Sequence, residues 1–387
     1  MIEYLENTAN VPMTTSGKRD LRHAVVYGPL VRNAIHASDK FSMIVRNGVN
    51  YLTELRSTLA LLQEKTKLVR FNLGQNQTPL HFGSREAHDE ACKIILELDW
   101  LTGSINTPAG LGERTPLLES VRWNRPGLFY LLRSHGAEVQ ALCASPFDEK
   151  GQRTWSALHI MADQAHNDDV SLVDDLIAAG VPVDGDPAMG TETPFHIAVR
   201  RNAFFLADAL RTHRADPDAL CARSALLVAP HPLTTLGHAI ARNSRHGLPA
   251  LGYLLALQPR PAFVVEPSRG LTALHLVALV PDGLAYVGGG ELARVDFDWE
   301  TNRALVHELL IWFRDRDELD ARCLQGKTAL HFAAESGNAG VLEELVRAGA
   351  DVSLRCEAGE TAADVARRAW CQENGMEVLR KLLSWLE

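Results

Sequence analysis

The sequence predicts an all-α protein built as a solenoid of helix-turn-helix repeats. Three observations lead to this fold class. A four-residue phrase, beginning with Thr or Ser and often ending in His, recurs along the 387-residue chain. Two short apolar stretches with helical spacing follow the better copies, the second ending at a glycine. The copies begin 37, 41, 37, 41, 38, 56 and 33 residues apart, and self-similarity at such spacings is the signature of a repeat architecture.

The recurring phrase predicts where each repeat's first helix begins. Thr or Ser caps the free backbone N–H groups at a helix start, and Pro fits the first turn because its missing N–H is not needed there. We count about eight repeats, the eighth being degenerate. The copies are Thr78-Pro79-Leu80-His81, Thr115-Pro116-Leu117-Leu118, Ser156-Ala157-Leu158-His159, Thr193-Pro194-Phe195-His196, Thr234-Thr235-Leu236-Gly237, Thr272-Ala273-Leu274-His275, Thr328-Ala329-Leu330-His331 and Thr361-Ala362-Ala363.

The seventh copy shows a whole unit. An apolar stripe over residues 330–334 is followed by a second apolar helix at Val341–Val346, and Gly349 can take the left-handed conformation that ends a helix. This unit resembles an ankyrin repeat almost letter for letter. The resemblance covers about residues 71–387 and implies stacked repeats with finger loops, in a protein that acts as an adaptor.

The resemblance also implies a structural role for the motif histidines, namely His81, His159, His196, His275 and His331. In the family this imidazole ties the finger loop to the start of the helix. Leu118 and Gly237 replace it in repeats two and five, and His238 comes one place late. We therefore expect these two repeats to lack one local hydrogen bond.

The predicted domains are an N-terminal helical capping region over residues 1–70 and a repeat domain over 71–387. Two spacings between helices are long enough to predict extended finger loops at 140–155 and 217–232. Repeat six carries a long insertion at about 280–303, which contains the acidic segment Asp296–Glu300. We interpret that segment as a solvated loop or partner contact, which acidic-aromatic loops usually are. Alternating carboxylates can also bind a divalent cation, but the ligand spacing of a calcium-binding EF-hand loop is absent.

Composition excludes several function classes. Hydrophobic residues make up 46% of the chain, charged residues 22%, and the net charge is −9. An acidic chain argues against nucleic-acid binding, which favours a basic face. We also expect no membrane span, secretory signal, metal or cofactor. The six cysteines are scattered without a CxxC pair, which favours a reducing compartment, so we predict a location in the cytoplasm and/or nucleus. Capped solenoid ends favour a monomer.

Arginines recur where the inner helices of three repeats should end. These are Arg122, followed by Trp123, in repeat two; Arg200 and Arg201 in repeat four; and Arg242 in repeat five. One interpretation is family consensus, in which the following Asn replaces Gly at a left-handed turn. The other is recognition, because guanidinium groups bind carboxylates and phosphates with paired hydrogen bonds. Glu335 would lie near the C-terminal end of the same groove.

Two functions remain open. The leading hypothesis is a non-catalytic protein–protein interaction scaffold that binds an acidic or carboxylate-bearing partner segment in the concave groove, through Arg122, Trp123, Arg200, Arg201, Arg242 and Glu335. The alternative is a small-molecule-binding protein or atypical enzyme acting on an anionic substrate, in a groove closed by the N-terminal helices and insertions. Asp163 and His166 would then be the acid–base residues. No standard catalytic motif is present.

Overall fold

The computed structural model describes most of the repeat region and few residues before it. The described residues are 80–81, 84, 89–97, 105–110, 112–144, 153–164, 170–186, 192–221, 232–241, 247–259, 261–279, 284–287, 291–294, 299–313, 316–371 and 376–386. The predicted cap over residues 1–70 lies outside them. Contacts divide the chain into two compact units, Met1–Pro182 and Val183–Glu387.

The first unit contains parts of repeats one to three. Its described elements are α1 (Asp89–Leu96), α2 (Pro116–Arg122), α3 (Pro126–Ser134), β1 (Cys143–Ala144), β2 (Arg153–Trp155), α4 (Ala157–Asp163) and α5 (Val173–Ala178). The inner helices α2 and α4 pack against each other, and the outer helix α3 packs on α1. Each inner helix is also paired with the outer helix that follows it.

The second unit contains repeats four to eight. Its elements are α6 (Pro194–Arg200), α7 (Phe204–Thr212), α8 (Thr235–Ala241), α9 (Gly247–Ala256), β3 (Val264–Glu266), β4 (Leu271–Thr272), α10 (Ala273–Leu279), β5 (Leu284–Val287), β6 (Glu291–Arg294), α11 (Trp299–Trp312), α12 (Arg316–Leu319), α13 (Ala329–Ser336), α14 (Ala339–Arg347), α15 (Ala362–Trp370) and α16 (Met376–Leu386). Inner helices α6, α8, α10, α13 and α15 pack in that order, as do outer helices α9, α11, α14 and α16. The predicted all-α repeat solenoid is confirmed.

The recurring phrases begin the inner helices as predicted. The Thr115 and Thr193 hydroxyls each accept a hydrogen bond from a backbone N–H of the first turn, and Pro116 and Pro194 occupy that turn. Thr361 caps α15 and forms a reciprocal capping box with Asp364. Removing such a cap typically costs about 1 kcal/mol, so the phrase fixes the helix start locally.

A side-chain oxygen before one repeat ties it to the backbone of the next. In each case an Asn or Asp accepts a hydrogen bond from a backbone N–H just over thirty residues later. Within single units these bonds run from Glu138 N to Asn106 Oδ1 (2.9 Å), from Asp216 N to Asp184 Oδ1 (3.2 Å) and from Asp351 N to Asp320 Oδ1 (3.0 Å). The repeated bond sets the register between neighbouring turns of the solenoid.

The predicted finger loops are closed at their bases by short antiparallel pairing. Cys143 lies opposite Trp155 in the loop predicted at 140–155, and residues 145–152 lie outside the described part. Cys221 and Leu233 exchange backbone hydrogen bonds of 2.9 and 3.0 Å, which closes the loop predicted at 217–232. Each finger therefore begins and ends at adjacent positions.

The insertion in repeat six contains an antiparallel hairpin. Strands β5 and β6 pair with Leu284 opposite Arg294 and Val287 opposite Glu291. The interpretation of 296–300 as loop was wrong for Trp299 and Glu300, because α11 already begins at Trp299. An acidic residue in the first turn of a helix is favoured by the helix dipole, so the charge there indicated a helix start.

Candidate functional site

Two of the motif histidines, His275 and His331, tie a finger turn to a helix start. The Nε2 atom of His196 is buried without a hydrogen-bond partner among the described residues, so that histidine does not make the same tie. The backbone N–H of Thr328 donates to His331 Nδ1 at 3.2 Å, and His331 Nε2 lies 3.0 Å from the carbonyl oxygen of Glu360. Because Nδ1 accepts, the proton is on Nε2, which donates to that carbonyl. His275 has the same arrangement and bonds the carbonyl of Lys327 at 2.9 Å. The structural role predicted for these two histidines is confirmed.

Burial keeps these imidazoles neutral. It lowers the pKa of His275 to about 4 and lowers the pKa of His331 below its ordinary value. A buried cation is costly to leave without a partner, so the neutral form is favoured in the folded state. With both ring nitrogens engaged, neither side chain is placed to ligate a metal or transfer a proton.

Repeat five departs from the motif as expected. Gly237 offers no side-chain bond, and its N–H is capped by the Thr234 hydroxyl at 3.3 Å. His238, one place late, instead places Nε2 at 3.0 Å from the carbonyl oxygen of Cys221 in the finger strand. The ring of His238 meets that of His196 edge to face at 5.5 Å. The motif bond is lost, and a tie to the finger replaces it.

A second recurring feature was not predicted from the sequence. The residue just before the phrase and the residue eight places later form an ion pair, which we name the brace pair. Three repeats of the second unit have one: Arg200 Nε to Glu192 Oε1 at 3.0 Å, Lys327 Nζ to Glu335 Oε2 at 2.7 Å, and Arg368 Nε to Glu360 Oε1 at 3.0 Å. Two opposite charges eight residues apart in the sequence could have predicted these ion pairs.

The brace pairs give two predicted binding residues a partner inside the fold. Arg200 also donates from Nη2 to Glu192 Oε2 at 3.3 Å, and the two side chains are 10% and 5% exposed. Glu335 is 41% exposed and pairs with Lys327. Arg200 therefore has a structural role that the sequence analysis did not assign. Arg201, the next residue, is exposed.

Repeat two has two positive residues at the brace-pair positions and therefore lacks the ion pair between them. Arg114 and Arg122 occupy both positions, and Glu119 lies between them. Glu119 Oε1 accepts from Arg114 Nη1 at 3.3 Å and is 3.8 Å from Arg122 Nη1, while Trp123 Nε1 donates to Glu119 Oε2 at 3.1 Å. The Arg122 guanidinium lies over the Trp123 ring, 5.3 Å from its centroid. These four residues are the repeat-two cluster.

Residues 316–366 match the model of a family described as ankyrin repeats in many copies. The predicted ankyrin resemblance is confirmed over this segment. Residues 316–366 are ankyrin repeats. A comparison with curated proteins finds no match.

Two solved ankyrin structures are similar to this protein. The human ASB11 ankyrin repeat domain is 15% identical, covering 80% of this chain and 98% of that one, with a TM-score of 0.38. The ankyrin repeat domain of Bcl-3, described as a unique member of the IkappaB protein family, is 21% identical, covering 79% and 100%, with a TM-score of 0.39.

Two inner helices, α2 and α6, are followed by an asparagine in the left-handed conformation. Asn124 after α2 has a φ of 50° and Asn202 after α6 has a φ of 59°. Asn tolerates this conformation better than most residues with a Cβ. The interpretation that Asn replaces Gly at a left-handed turn is confirmed at these two positions. The backbone conformation does not decide the role of the arginine side chains.

The remaining candidate residues are distributed over the two units. Arg122, Trp123 and Asp163 lie in the first unit, where half-buried Asp163 ends α4, and Arg200, Arg201 and Glu335 lie in the second. Arg242 and His166 lie outside the described residues. In the described parts of the chain no three His, Cys, Asp or Glu side chains are grouped as metal ligands, and no described helix combines the length and apolar character needed to cross a membrane.

Proposed function

We propose that this protein is a non-catalytic scaffold that binds an acidic, carboxylate-bearing segment of a protein partner along its inner helices, in the predicted concave groove. Ankyrin repeats generally mediate protein–protein interaction. The repeats here are held by side-chain caps, histidine ties and brace pairs, so their surface is ordered before a partner arrives. Little conformational entropy is then lost on binding.

The observation that carries the proposal is the exposed end of α2. Trp123 is 40% exposed, the Arg122 side chain is 32% exposed, and Arg125 beside them is exposed as well. Trp and Arg are the residue types most enriched among residues that dominate binding energy. Positive side chains at this position in a chain of net charge −9 favour an acidic partner.

The second unit contributes Arg201 at the corresponding end of α6. The proposal also includes Arg242 of repeat five, while Arg200 is held by Glu192 and is expected to contribute mainly to stability. We further propose that the protein works as a monomer in the cytoplasm and/or nucleus.

The test is affinity capture from native cytoplasmic and nuclear lysate with three forms of the full chain. These are wild type, Arg122→Gln/Arg201→Gln, and a matched control, Arg133→Gln/Arg347→Gln, which replaces one exposed outer-helix arginine in each unit. A protein with an acidic segment should be retained by wild type and control and lost from the first variant. Equal retention by all three forms would contradict the proposal, as would a small metabolite co-purifying without a stoichiometric protein.

A further inference from the structure

We propose that Arg122, with Trp123 as its platform, forms a subsite that binds a single carboxylate group of the partner segment, in preference to a phosphate group. This inference rests on the proposed function and specifies the chemistry of one of its contacts. The observation that carries it is that Glu119 accepts hydrogen bonds from Arg114 and Trp123, whereas Arg122 lies 3.8 Å away.

Glu119 is fully committed to two of its neighbours. Its side chain is only 5% exposed, Oε1 accepts from Arg114 and Oε2 accepts from the Trp123 indole. The Arg114 side chain is 15% exposed and packs over Gly112, where an added Cβ would lie only 2.7 Å from the guanidinium carbon. This half of the cluster is therefore closed to a ligand and serves to hold the indole.

Arg122 is the member that remains available. Its Nη1 lies 3.8 Å from Glu119 Oε1, which is longer than a hydrogen bond, and its Nε is buried without a hydrogen-bond partner in the described part of the chain. The side chain is 32% exposed, so the terminal nitrogens are the donors that a ligand can reach. The Trp123 ring lies below the guanidinium and orients it without using a donor. A planar group with unused donors, held on an aromatic face, suits paired hydrogen bonding to a carboxylate.

The local charge matches a monoanion. Two guanidinium groups and one carboxylate leave a net charge of about +1 in the cluster. Two buried neighbours of the cluster are neutral: burial raises the pKa of Cys143 to about 11, and burial lowers the pKa of His81, whose Nε2 bonds the Arg114 carbonyl. A carboxylate neutralises the remaining charge, whereas a phosphate ester of about −1.5 to −2 would exceed it beside Glu119.

The test uses the full chain and three short fluorescein-labelled peptides that differ only in carrying Glu, Gln or phosphoserine. Wild type should bind the Glu peptide most tightly and the Gln peptide not measurably. Arg122→Gln should weaken binding of the Glu peptide about tenfold, since charge-assisted hydrogen bonds are lost. Arg133→Gln is the matched control, an exposed arginine of the outer helix α3 in the same unit, and should change binding less than about twofold. Thermal melting checks that each variant is folded.

A second variant tests charge matching directly. Glu119→Gln keeps an oxygen that can accept from the Trp123 indole and raises the net charge of the cluster by one. The phosphoserine peptide should then bind several-fold more tightly than it binds wild type. Phosphoserine preference in wild type would overturn the inference, as would equal losses in the Arg122 and Arg133 variants.

The failures of the two proposals are distinguishable. If Arg122→Gln binds the Glu peptide as well as wild type does, while the captured partner is still lost from Arg122→Gln/Arg201→Gln, the subsite is wrong and the scaffold proposal stands. If wild type retains neither partner nor Glu peptide, both proposals fail.

Discussion

Replacing Arg200 with Gln should destabilise the second unit, because this arginine pairs with buried Glu192. Arg200 would then stabilise the fold in addition to any role in binding. The Glu192 carboxylate is 5% exposed and receives both the Nε and the Nη2 hydrogen bonds of Arg200. Breaking one side of a buried ion pair leaves an uncompensated charge, which typically costs about 3–5 kcal/mol. Because Arg200 is 10% exposed and Gln can keep one hydrogen bond, we expect about 3 kcal/mol.

The assay is urea unfolding at neutral pH, followed by far-ultraviolet circular dichroism. Arg201→Gln, at the exposed neighbouring position, is the matched control and should cost less than about 0.5 kcal/mol. The double variant Glu192→Gln/Arg200→Gln should recover about 2 kcal/mol of the loss, since no charge is then left unpaired. Equal, small effects of Arg200→Gln and Arg201→Gln would refute the argument that the brace pair is structural.

Three further predictions concern the histidines and the left-handed turns. His331→Ala should cost about 2 kcal/mol in urea unfolding, because the Glu360 carbonyl loses its donor, and partner capture should be unchanged; unaltered stability would show that the tie is dispensable. Acid should destabilise the protein between about pH 6.5 and 4, by about 3 kcal/mol for each of His275 and His238. The folded pKa of each is lowered to about 4, so this stability is complete above the unfolded value and is lost as pH falls; a urea midpoint that does not move in this range would contradict it. Asn202→Gly should be neutral or stabilising, whereas Asn202→Val should cost about 2 kcal/mol at a φ of 59°, and equal melting temperatures would argue against a strained turn.

Much of the fold could be predicted because its signals are local. A Thr or Ser that caps a helix acts on backbone groups within one turn, so the phrase located the inner helices, including α6 and α13. The motif histidine bonds its own helix start in the same way. The helical start of the acidic segment at Trp299 was missed because its acidic and aromatic composition was taken to indicate a loop, although an acidic first turn also favours a helix.

The functional residues could be predicted only as a set of candidates. The sequence showed that arginines recur after the inner helices, and it could not distinguish Arg200 from Arg201. The structure separates them, because Arg200 is directed to buried Glu192 while Arg201 is exposed. Arg242 and His166 remain predictions.

The sequence by itself therefore determined the repeat and its helix starts, which depend on interactions over a few residues. The family resemblance implied the role of the motif histidines, whose Nε2 bonds in His331 and His275 span 29 and 52 residues. Only the tertiary structure decided which charges are already neutralised. Glu119 lies 3.3 Å from Arg114 and 3.8 Å from Arg122, and that small difference leaves one guanidinium with unused donors. Such distances depend on how the helix and the preceding turn pack together, and no spacing in the chain encodes them directly.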